Sequence, residues 1–138
     1  MNDRSFGRML GSMLTPIPGP RSRQLAEDLT RYEMPTSNTL KRGDYPIVLD
    51  EALYANLRDV DGNVFVDLTA ASCVAAAGHS NPEIVEAIHQ QATKLMHTAG
   101  VSNPSRPRIE LLSKLAEVAP GDLSVSHIAN TGAEAVET

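Results

Sequence analysis

The sequence predicts an α/β chain, and three stretches of its 138 residues carry that prediction. Alternating apolar runs flank an Asp-Gly pair in residues 46–68, the pattern of a small antiparallel meander. Apolar residues recur at helical spacing in residues 82–97 and again in 109–118. Residues 124–137 read as a short strand, a tight turn at Thr131-Gly132 and the opening of a helix, the strand–glycine–helix junction of α/β proteins.

Taken in order, residues 1–20 are irregular: Thr15-Pro16-Ile17-Pro18-Gly19-Pro20 can continue neither a helix nor a central strand. Residues 21–32 have helical character, with Leu25 and Leu29 four apart, and Met34-Pro35 ends them. Residues 36–44 are polar and expected to be loop. The short apolar run Ile47-Val48-Leu49 follows, and residues 53–59 alternate like one half-buried strand. Asp61-Gly62 then predicts a type I′ turn, in which both central residues take positive φ, leading into a strand over residues 64–68.

Residues 69–78 are mostly small (Ala70, Ala71, Ser72, Ala75, Ala76, Ala77), which lets a ligand or a packed helix approach the backbone. Packing is the ordinary use of such a run. The next helix starts at Pro82, with Asn81 or Ser80 as its cap and Ser80-x-x-Glu83 as a possible capping box. Ile84, Val85, Ile88, Leu95 and Met96 share one face, Glu86, Gln90 and Lys94 the other, and the helix should end near residues 97–100. Two prolines mark residues 101–108 as a connector. Ile109, Leu112, Leu115 and Ala116 form the stripe of a further helix, stopped by Pro120-Gly121.

Composition excludes several classes of function. A net charge of −5 and a pI near 5.3, with no basic stripe, argue against a nucleic-acid partner. No stretch approaches a membrane span, and no leader-like run opens the chain. Cys73 is the only cysteine, so an intramolecular disulfide is impossible and a reducing, cytoplasmic location is expected. The four histidines show no metal-ligand spacing, and Asp59 and Asp61 lack the rest of a calcium loop, so no metal site is expected. Cys73 has no charge partner nearby in sequence, which reads as a small apolar residue before a reactive thiol.

The Thr131-Gly132 turn has the makings of an anion site. The first amides of a helix are unpaired, its dipole is positive there, and glycine lets a phosphate come close to the backbone. An ordinary βα turn is the plainer reading of the same pattern. The chain also ends one turn into this helix, so the sequence reads as the front of something larger.

Four motifs now stand in order. They are Asp59-Val60-Asp61-Gly62-Asn63-Val64-Phe65-Val66-Asp67-Leu68; Gly78-His79-Ser80-Asn81-Pro82-Glu83-Ile84-Val85-Glu86-Ala87-Ile88; Leu112 to Asp122, ending in Ala119-Pro120-Gly121-Asp122; and Thr131-Gly132-Ala133-Glu134-Ala135-Val136-Glu137. With the lead-in Ile17-Pro18-Gly19-Pro20-Arg21 and the segment Leu95-Met96-His97-Thr98, they resemble the N-terminal third of class III pyridoxal-phosphate-dependent aminotransferases, the 4-aminobutyrate aminotransferase-like branch nearest. The likeness runs over about residues 15–138.

The resemblance implies a fold-type-I enzyme, of which this chain is the N-terminal portion. Residues 1–68 would supply the arm, helix and meander of the small domain, and residues 69–138 the start of the large cofactor-binding domain, truncated. It implies pyridoxal 5′-phosphate as cofactor, a homodimer, and transfer of an amino group from an amino acid or ω-amino acid to a 2-oxo acid. Carried over by motif, Gly132 and Ala133 hold the cofactor phosphate through backbone amides, with Thr131 adjacent. Ser72 and Cys73 fall in the segment that lines the substrate pocket.

No catalytic residue is assigned. The family's chemistry needs a lysine bonded to the cofactor, an aspartate beside the pyridine nitrogen and a stacked aromatic ring, all downstream of the phosphate loop. Lys41, Lys94 and Lys114 read as solvated surface. The fragment alone is therefore expected to be inactive. Two alternatives stand beside this reading: a non-enzymatic truncated product, and a fragment of a class III aminomutase or dialkylglycine-type decarboxylase on the same scaffold.

Overall fold

Residues 49–66 form the sheet because alternation of apolar and polar side chains meets two tight turns at the right intervals. The computed structural model describes residues 5–34, 47–100 and 102–138, in two compact units, 1–89 and 90–138. The loop expected over residues 36–44, with Lys41, lies outside the described residues, as do Pro35 and Val101.

In the first unit, β1 (Leu49–Leu53), β2 (Asn56–Asp59) and β3 (Val64–Val66) make an antiparallel sheet in the order β1-β2-β3. Leu53 faces Asn56 across the first turn, and Arg58 faces Val64 across the second. Residues 53–59 are thus not one strand. The chain reverses at Tyr54-Ala55, where Tyr54 takes a φ of 54°. Alternation does not reveal a two-residue reversal, because the residues on either side keep the pattern.

The second turn also departs from expectation. Only Gly62 of the Asp-Gly pair has positive φ, at 87°. The Gly62 amide donates to the Asp59 carbonyl, and the Asp59 amide to the Asn63 carbonyl, which makes a three-residue loop closed by a left-handed glycine. The Asp59 carboxylate, accepting from the Asp61 and Asn63 amides at 3.0 and 2.7 Å, favours this longer loop over the type I′ form.

Apolar burial is modest. Phe6, from a short 3₁₀ turn over Ser5–Arg8, packs with Leu53 and Val64. The Arg58 guanidinium lies 4.1 Å from the Phe6 ring centroid and 3.2 Å from Glu51. Buried polar groups tie the arm down as firmly as this core does. Asn63 is fully enclosed: its Oδ1 accepts from the Leu14 and Thr15 amides, and its Nδ2 donates to Thr15 Oγ1 and Asp59 Oδ2. Ser12 and Val64 exchange backbone bonds of 2.8 and 2.7 Å, so the arm borders β3.

α1 (Pro20–Tyr32) starts with proline at its first turn and no cap from its own Gly19. Its cap comes from the hairpin loop. Asp61 accepts from the Arg21 and Ser22 amides and from the Ser22 hydroxyl, at 2.8, 2.9 and 2.6 Å. A Cβ on Gly19 would collide with this carboxylate. The buried positions of α1 are Ser22, which bonds Asp61, and Ala26, while Leu25 is exposed.

α2 (Pro82–Lys94) is capped by Asn81, whose Oδ1 accepts from the Glu83 amide at 3.0 Å. Ser80 sits at φ 44° and forms no capping box. Gln91 donates to the Leu95 carbonyl, and α2 stops at Lys94, short of the expected residues 97–100. α3 (Arg106–Val118) ends before Pro120-Gly121, and α4 (Gly132–Glu137) is the terminal helix. The strand expected at residues 124–130 is not formed: among the described residues nothing pairs with it. A strand exists only through its ladder, and a sequence pattern cannot supply the partner.

Candidate cofactor site

The start of α4 is built by a reciprocal cap. Thr131, extended at φ −134° and ψ 157°, accepts through its hydroxyl from the Glu134 amide at 3.2 Å. Glu134 Oε2 reaches back to the Asn130 and Thr131 amides at 2.8 and 3.3 Å. These bonds consume the donors on either side and leave the amides of Gly132 and Ala133 without partners among the described residues. Nothing lies within 4 Å of where a Gly132 Cβ would stand. The Thr131 hydroxyl keeps its proton for one further acceptor. Two free amides and a hydroxyl beside open space are the donors that a tetrahedral anion such as a phosphate group would use. Thr131, Gly132 and Ala133 are thus adjacent in the second unit. Glu134 was legible as a helix former in the sequence, but its cap role follows from the Thr131-x-x-Glu134 spacing.

Ser72 and Cys73 lie in the first unit, both exposed, and they sit in an unusual backbone. Ala70, Ala71, Ser72 and Cys73 take φ values of 48°, 48°, 59° and 69°. Four successive non-glycine residues in the left-handed region cost roughly 1–2 kcal/mol each. The turn closes with bonds from Cys73 N to the Thr69 carbonyl (2.8 Å) and Ala75 N to the Ala70 carbonyl (2.9 Å).

One carboxylate gathers the donors around this turn. Asp67 accepts from the Thr69 amide and hydroxyl at 2.9 and 2.8 Å, from the Ala71 amide at 2.9 Å and from His79 Nε2 at 2.7 Å. The His79 bond first, then the Thr69 bonds, holds the Asp67 carboxyl far below the usual carboxylate range. An ionised carboxylate only accepts, which assigns the proton to Nε2 of His79. Nothing in the periodicity of residues 67–79 announces this cluster; its one signal is the Asp67-x-Thr69 pair, a common side-chain turn.

Lys94 is exposed at the end of α2, and Lys114 pairs with Glu117 at 2.9 Å on an exposed face of α3. Among the described residues no three His, Cys, Asp or Glu side chains gather as a metal site, and no helix is long and apolar enough to cross a membrane.

The sequence model for aminotransferase class III matches residues 39–138. The chain belongs to the class III aminotransferase family. It is 32% identical over 129 residues to the 4-aminobutyrate aminotransferase of Mycobacterium leprae, covering 91% of this chain and 27% of that protein. Among solved structures, an (S)-enantioselective ω-transaminase from Thermomicrobium roseum superposes with a TM-score of 0.71 at 28% identity, over 85% of this chain and 27% of that one. A variant glutamate-1-semialdehyde aminomutase from Pseudomonas aeruginosa, in complex with PMP, gives 0.59 at 25% identity over 71% and 22%. The chain therefore spans about a quarter of the length of these relatives. The neighbours are aminotransferase and aminomutase folds, and the part of that fold described here holds a small antiparallel sheet.

Proposed function

We propose that these residues serve a pyridoxal-phosphate-dependent aminotransferase, as the part that grips the cofactor phosphate and lines one side of the substrate pocket. The observation that carries this reading is the pair of unpartnered amides at Gly132 and Ala133 behind the Thr131–Glu134 cap. Bound pyridoxal phosphate would supply the electron sink for moving an amino group. The chain's own contribution is positional. The Gly132 and Ala133 amides and the Thr131 hydroxyl take phosphate oxygens, the helix start favours the negative charge, and the Ser72 hydroxyl and Cys73 thiol face the donor. The donor is an amino acid or an ω-amino acid of the 4-aminobutyrate type, and the acceptor a 2-oxo acid. The working state is a cytoplasmic homodimer, with residues 1–68 in the small domain and 69–138 opening the large one.

The likeness to an aminomutase supports a second reading, transfer of the amino group within one molecule. Product analysis separates the two: a transaminase stalls without a 2-oxo acid and a mutase does not.

The phosphate grip is tested by Gly132→Pro. Proline suits the first helical position, the extended Thr131 before it is compatible, and a Cβ there meets nothing, so the change removes one N–H and little else. In protein expressed from the whole reading frame that holds these residues, affinity for pyridoxal phosphate should fall about tenfold or more, the worth of one charge-assisted hydrogen bond. Unchanged affinity, read by equilibrium dialysis, would overturn the assignment.

A further inference from the structure

We propose that Asp67, clamped by His79, is a positioning residue: it holds residues 70–73 in their left-handed turn and through that turn sets which amino donor fits against Ser72 and Cys73. This rests on the proposed substrate-facing role of those two residues.

The turn is not held by packing, since Ala71, Ser72, Cys73 and Val74 are all exposed. Nor do its internal bonds explain its hand. A right-handed turn of the same residues would make equivalent bonds without the clash of Cβ and carbonyl. A disfavoured backbone persists when its surroundings over-determine it, and here the surroundings are one carboxylate. Asp67 bonds Thr69 at the entry and the Ala71 amide inside the turn. His79, at the far end of the loop, holds the same carboxylate. The backbone of His79 is in turn paired with Tyr54 at the β1–β2 reversal, through bonds of 2.8 and 2.9 Å. The Asp67 amide donates to the Ala55 carbonyl of the same reversal, at 2.8 Å. Both ends of the loop are thereby anchored to one point of the sheet, and Asp67 joins them.

Asp67→Asn keeps the size but replaces one acceptor oxygen with a donor. Amide hydrogen exchange of residues 69–78 should quicken about tenfold or more, while β2 and β3 keep their protection. Ala70→Gly with Ala71→Gly removes the Cβ clash that the clamp opposes, so adding this pair to Asp67→Asn should restore much of the protection, which a general loss of structure would not allow. In the cofactor-loaded protein, Asp67→Asn should raise KM for the amino donor about tenfold while cofactor content is kept, and the glycine pair should bring KM back down. If Asp67→Asn fails to fold, the glycine pair in the otherwise unaltered chain still decides: it should raise Tm, and an unchanged or lowered Tm overturns the proposal. Unaltered exchange in Asp67→Asn, or an unaltered KM with a freed loop, also overturns it. A wild-type protein that takes up no pyridoxal phosphate is a different result, and sinks the cofactor reading instead.

Discussion

At the scale of single residues, buried or shielded polar side chains do most of the specifying in the first unit. Asn63 is the strongest case: it satisfies all four of its hydrogen-bonding positions, two toward the arm's backbone, one to Thr15 and one to Asp59. Asn63→Ala leaves the buried Asp59 carboxylate and two arm amides short of partners, and should lower stability by about 3 kcal/mol, read as the shift of a urea midpoint. Asp67 gives the chain a pH dependence. Its carboxyl is held below the unfolded value of 3.8, chiefly by His79. The sign follows from linkage: the folded state binds fewer protons, so the stability Asp67 contributes is full above pH 3.8 and shrinks progressively as the pH falls from there toward the lowered folded-state value. Asp67→Asn should therefore flatten the acid limb of a plot of Tm against pH. Neither role is visible as a motif, because each joins residues whose proximity the fold creates.

At the scale of elements, the meander and the helices were legible, since period-two and period-3.6 patterns report which face is apolar. What escaped was whatever depends on a distant partner. The cap of α1 comes from Asp61, about forty residues along the chain, with its carboxyl pushed up by partial loss of hydration and pulled down further by Ser22 and Arg21. The sequence around α1 shows its proline but not its cap. Asp61→Asn weakens that cap, and trypsin should then cut after Arg21 and Arg23 several-fold faster while the hairpin stays intact, as mapped by mass spectrometry. The expected strand at residues 124–130 failed for the same reason: a strand needs a ladder partner, and nothing among the described residues pairs with this segment. The turn at Thr131-Gly132 and the helix start after it were legible because everything that forms them, Thr131, Gly132, Ala133 and Glu134, lies within four consecutive residues.

At the scale of the whole molecule, the second unit and α2 bury very little. None of α2, α3 and α4 contains a buried residue, and helices of this length are marginal without tertiary packing. Ile84, Val85, Ile88, Ile109 and Leu111 stand exposed on them. The isolated chain should self-associate and bind a hydrophobic dye, with size-exclusion chromatography showing broad, concentration-dependent species; a sharp monomer peak would count against uncovered helix faces. The sheet is better protected on one side. Because the backbone around Ser12 already occupies the outward hydrogen-bonding groups of Val64, a foreign strand is denied that part of the outer margin of β3. The proline-bounded arm, featureless as it looks on paper, thus works as a selvedge along Val64, and fraying it would open that stretch of the sheet to foreign pairing.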